Sequence, residues 1–155
     1  MEAWRARVLT AAQSWLGTPW QHNQAVKGAG IDCGHYLLRA YVEADCAEPA
    51  ALGEYPNDGM LLRDEERFLV WVERYCDKVD QPQPADIVLW RFGRCFSHGA
   101  IVVEWPLILH AYLPQRAVVW GDAERDGHLL HRVAKGGSSV PRERLFYSRA
   151  ARIES

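Results

Sequence analysis

The sequence predicts an α+β domain with its N-terminal helices packed on one face of an antiparallel β-sheet. Two observations predict it: apolar residues in the first half recur at helical spacing, and after "QPQP" the chain changes to short β-branched and aromatic runs separated by turn signals. A third sets the scale: 155 residues, 48% hydrophobic, suffice for one core of their own, so residues 1–155 are read as a single domain.

The first helix is "WRARVLTAAQSWL", which puts Trp4, Val8, Ala11, Ala12, Trp15 and Leu16 on one face and stops before Gly17 and Pro19. The second starts at Asp32, an N-cap residue type, and carries Tyr36, Leu37, Ala40, Tyr41 and Ala44 with helical period. Cys33 therefore falls in its first turn. A third helix, "LLRDEERFLVWVERYCDKV", aligns Leu61, Leu62, Phe68, Leu69, Val72, Tyr75 and Cys76 against a charged face, with Cys76 in the core and "RDEER" in solvent. The runs "DIVLWRF", "HGAIVVEW", "LILHAYL" and "AVVWGD" read as strands of a meander, and "RLFYSR" as a final strand. Trp4, Trp15, Trp71, Trp90 and Trp105 fall at core positions of these elements.

Composition excludes several classes. A formal net charge of −2 argues against binding nucleic acid through a strongly basic face, and no apolar run approaches the roughly 20 residues of a membrane span. The start "MEAWRARVLTAAQSW" lacks the apolar centre of a signal peptide, so the expectation is a chain made in the cytoplasm without Sec export by its own signal. Cys33, Cys46, Cys76 and Cys95 form no CxxC pair and are expected to be free thiols.

Cys33 carries the chemistry. A helix N-terminus offers unpaired N–H groups and partial positive charge, which favour thiolate and bring a cysteine pKa toward neutrality; the same N–H groups can bind an oxyanion. A base is then needed from elsewhere. His98, at the start of one strand, and His110, on the next, meet if both point to the same face. A rival arrangement, a zinc site of Cys33, Cys95, His98 and His110, matches no common finger spacing.

Five blocks in order, "WLGTPW", "GIDCGHYLL", "PQPADIVLW", "SHGAIVV" and "LILHAY", resemble the NlpC-like cell-wall cysteine peptidases, particularly their phage-encoded members, over about Ala11 to Ala123. The resemblance implies a papain-like NlpC-type fold, with Cys33 as nucleophile, His98 as general base and His110 as the residue orienting it. It implies a thioester mechanism without metal or cofactor, acting on peptidoglycan stem peptides, often at the γ-D-glutamyl link to diaminopimelate. It also suggests assembly into a phage tail, whose other proteins would bring the domain to the wall; charge and the lack of a long apolar run leave neither nucleic acid nor membrane as an expected partner.

The usual "DCSG" is here "DCGH". Gly34 gives room beside the thiol, and His35 is expected to face solvent. Trp20 stands where the family has a tyrosine beside the oxyanion site, and its indole N–H is a substitute donor. Asp32 reads first as a cap and second as a residue shaping the cleft. Two alternatives share these residues: a tail-assembly protein that keeps the fold without catalysis, and a thiol amidase or transacylase that resolves the same thioester differently.

Overall fold

The computed structural model describes residues 1–49 and 67–152. The expected start of the third helix at Leu61 and Leu62, and most of the "RDEER" face, lie outside the described residues. Helix α1 spans Ala3–Gln13 and α2 Cys33–Glu43; between them a small hairpin pairs β1, Ala25–Val26, with β2, Gly30–Ile31. Helix α3, Arg67–Tyr75, leads into β3, Asp77–Val79. Then follow β4 (Ile87–Phe92), β5 (Cys95–Glu104), β6 (Leu107–Tyr112) and β7 (Ala117–Asp122). A short helix α4 (Gly127–Leu130), a hairpin of β8 (His131–Val133) with β9 (Ser139–Pro141), and β10 (Arg144–Ser148) complete the order.

Six strands form one antiparallel sheet in the order β3-β10-β4-β5-β6-β7. The expected meander is β4 to β7, and the expected last strand, β10, inserts between β3 and β4. Helices α1 and α2 lie on one face, where Val8, Ala12, Tyr36, Leu37 and Tyr41 meet Ile87, Leu89, Ile101 and Leu109. The opposite face is apolar too: Val88, Trp90, Ala100, Val102 and Ile108 pack with Leu129 of α4. Burial on both faces explains why "DIVLWRF" is a continuous apolar run instead of an alternating one.

Several boundaries differ from expectation. Helix α1 ends at Gln13, so Leu16 is 39% exposed, while Trp15 remains buried beyond the helix. The third helix stops at Tyr75, and its expected tail to Val79 is β3, held by β10. Arg5, on the polar side of the helical pattern, is buried, with its guanidinium 2.8 Å from Asp86 and 2.7 Å from the Pro84 carbonyl. That pair ties α1 to the start of β4. Cys76 is core as expected, and all four cysteines are free thiols.

Candidate active site

Asp32 caps α2 as its sequence predicts: Oδ1 accepts from the His35 amide at 2.9 Å, and Oδ2 accepts from the Asn23 amide at 2.7 Å. The carboxylate thus fixes the helix start and the preceding loop together. His35 does not face solvent. It is 5% exposed, with Nδ1 2.9 Å from Asp32 Oδ1, because the turn that places its amide on the cap also brings its ring there. Gly34 is buried in the first turn, next to the thiol.

The Cys33 thiol donates to the carbonyl of Ser97 at 3.4 Å, and the amides of Cys33, Gly34 and Gly99 reach the sulfur. Ser97 and Gly99 flank His98 in β5. They can receive the thiol because β5 is irregular here: Trp90 pairs with His98 and Arg91 with Phe96, so Ser97 is a bulged residue without a partner in β4. Pairing with β6 begins only at Ile101. Ser97 is exposed, and Cys33 and His98 are partly so, leaving the site open to a ligand.

His98 Nε2 lies 2.9 Å from His110 Nδ1, so the expected meeting of the two histidines across neighbouring strands is present. The rings sit in an aromatic nest. Tyr112 stacks on His110 with centroids 4.2 Å apart, and Trp90 stacks on His98 at 5.7 Å. Gly121 on β7 leaves space for His110: a Cβ there would stand 2.9 Å from His110 Nε2. Tyr112 and Gly121 were not singled out from sequence. Signals existed, since Tyr112 follows His110 by two residues on the same strand face, and glycine within a strand marks a close approach.

The electrostatics run against the expected activation. Although the residue is partly exposed, protein atoms crowd its sulfur; desolvation and then the neighbouring Asp32 carboxylate push the Cys33 thiol up to about 12. The three amides pull it down but do not win. Burial, reinforced by the positive charge that His110, His128 and Arg142 can carry, holds His98 well below its ordinary value; burial lowers His110 to about 4 against a pull upward from Asp126. The resting site is a neutral thiol beside a neutral imidazole pair, and the thiol's hydrogen bond goes to Ser97 instead of an imidazole.

Trp20 bridges Ile31 in parallel, and its amide donates to the Arg116 carbonyl at 2.9 Å, so it lies beside the strand that delivers Cys33. Cys95 is buried at the start of β5. Among the described residues no group of three or more His, Cys, Asp or Glu side chains is placed to hold a metal ion, the four of the zinc alternative included.

No family model matches the chain, and no curated protein does. Solved structures do. The NlpC/p60 domain of the peptidoglycan hydrolase SagA is similar at a TM-score of 0.52 and 18% identity, over 77% of this chain and 90% of that one. An NlpC/p60 family protein from Bacillus cereus gives 0.58 at 18% identity, over 81% of this chain and 37% of the other. NlpC2 from Trichomonas vaginalis gives 0.56 at 12% identity, over 94% and 49%. The chain thus spans under half the length of the latter two. The fold is the α+β, papain-like fold of NlpC/p60 domains.

Proposed function

We propose that the chain is a cysteine peptidase that hydrolyses amide bonds in bacterial peptidoglycan stem peptides. The observation that supports this most is the contact of the Cys33 sulfur with the backbone on both sides of His98, whose ring is hydrogen-bonded to His110. Similarity to the domain of a peptidoglycan hydrolase points to the same substrate.

Because thiol and imidazole are both neutral at rest, the proton leaves Sγ for His98 as the C–S bond forms, not beforehand. With Nε2–H of His98 donating to His110 Nδ1, the Nδ1 of His98 is the free base. The amide N–H groups at the start of α2 stabilise the oxyanion. Imidazolium then gives its proton to the departing amine as the C–N bond breaks, leaving a Cys33 thioester. Water, deprotonated by His98, attacks the thioester; the acid is released and the thiol regains its proton.

The γ-D-glutamyl link to diaminopimelate as the bond cut, and service within a phage tail, complete the proposal. Incubation with purified muropeptides and mass spectrometry of the products tests the first. New termini at that link are expected; an intact stem contradicts the reading. For the second, the protein is expected in purified virions, and its confinement to uninfected cytosol would count against it. The raised thiol pKa favours one other reading, a domain that keeps the fold without catalysis.

A further inference from the structure

Beyond the Cys33 turn, a cleft of about 660 Å³ opens between the end of β4 and the β8–β9 hairpin. That lies within the roughly 300–1,000 Å³ of ordinary ligand sites. Its walls include Arg91, Phe92, Arg132, Arg142 and Glu143, three arginines against one glutamate, in a chain whose net charge is −2. Among the described residues only Arg91 of the three is neutralised, pairing with Glu143 at 3.2 Å. Arg142 donates to the carbonyls of Arg91, His128 and His131 at 2.8, 3.0 and 3.3 Å, which fixes the guanidinium without cancelling its charge. Three of a guanidinium's five N–H donors are thereby used. Arg132 has no ion-pair partner among the described residues. The two cations also repel: after burial, Arg132 is the next influence lowering the pKa of Arg142.

The cleft is one ring away from the candidate base. Phe92 carries the Arg142 guanidinium 3.7 Å over its face, and its own centroid lies 6.0 Å from that of His98. Those two separations put the Arg142 guanidinium within about 10 Å of the His98 ring centre, a span of about three residues of extended peptide at roughly 3.3–3.6 Å each.

We propose that this cleft is an anion subsite that takes a carboxylate of the peptide substrate, with Arg132 and Arg142 as its cationic walls. The inference rests on the peptidase reading for the identity of the peptide, while the charge arrangement stands without it. Arg142, held by three carbonyls, provides a fixed fork; Arg132, exposed, closes on the anion from the hairpin. A bound carboxylate relieves the repulsion between the two guanidinium groups.

The test uses Cys33→Ala protein, which binds without turnover, and a synthetic stem tetrapeptide with its carboxylates free or amidated. Calorimetry is expected to show amidation weakening binding about fivefold or more, and Arg132→Gln removing that preference while leaving the amidated peptide's affinity unchanged. Among the described residues the Arg132 side chain makes no hydrogen bond, so Arg132→Gln keeps the fold, whereas a variant at Arg142 removes three bonds to carbonyls. Equal binding of the two peptides, binding of neither, or an unchanged preference in Arg132→Gln overturns the subsite. Loss of cleavage alone is a separate failure. If the Cys33-containing protein leaves both peptides intact but the carboxylate preference holds, the peptidase reading falls and the subsite stands.

Discussion

Asp32 does two jobs that oppose each other, and at the residue scale this decides how Cys33 behaves. It caps α2, and its charge opposes a thiolate one residue away. Asparagine caps about as well as aspartate without the charge. Asp32→Asn is therefore expected to lower the Cys33 pKa, and its alkylation near pH 8 to speed up about tenfold if the thiol becomes 1.4 kcal/mol easier to ionise. In the parent protein, that rate should still climb beyond pH 10, where an ordinary thiol of pKa about 8.5 has levelled off. Alkylation at each cysteine followed by mass spectrometry checks both; a plateau near neutrality contradicts them. Gly121→Ala sets a methyl against the His110 ring. Displacing that ring by about 1 Å is expected to cost on the order of 10²-fold in kcat/KM, measured on a stem peptide. At this scale the sequence disclosed Cys33, Asp32 and the two histidines through residue type and neighbours. It did not disclose the balance of burial against helix amides, which depends on atoms brought by β5.

Among the elements, the bulge at Ser97 matters most, since it turns a carbonyl toward α2 and lets the helix start close on the sheet. A bulge leaves little trace in a run such as "RCFSHGAIVV", whereas the strands around it are plain from their β-branched residues. The same contrast holds elsewhere. The end of α3 and the start of β3 are joined without glycine or proline, so periodicity alone carried the expected helix too far. The β1–β2 and β8–β9 hairpins are too short for alternation to register. The Arg5–Asp86 pair is equally invisible, because its partners lie 81 residues apart. Arg5→Met leaves Asp86 buried and unpaired and is expected to cost about 3–5 kcal/mol. Arg5→Met combined with Asp86→Asn should recover part of it, read as urea midpoints; equal losses in the two variants would show that the charge is not what costs.

Considered as a whole, the molecule holds a neutral histidine pair on a sheet that is apolar on both faces, and its stability should follow pH accordingly. Both folded pKa values lie below the ordinary 6.5, His110 at about 4, so the unfolded chain takes up protons first as pH falls. The stabilisation is complete above about pH 6.5 and is lost progressively as pH drops toward 4, His110 alone accounting for about 3 kcal/mol. Urea midpoints at about pH 7.5 and 4.5 should therefore differ, and His110→Gln should shrink the difference; a pH-independent midpoint contradicts the buried neutral pair. At this scale the fold class and order of the main elements were legible, because helical and strand periods occupy separate halves. The covering of the sheet's second face was not, since α4, which brings Leu129 there, is a four-residue helix too short for its period to register. Thiol catalysis at this site is tested by kcat/KM for a stem peptide in the parent protein and in Cys33→Ala and His98→Ala, read as loss of intact peptide by mass spectrometry. Cleavage at one amide is expected in the parent protein and none above background in either variant. Cleavage that survives Cys33→Ala, or an intact peptide under the parent protein, would contradict thiol catalysis there.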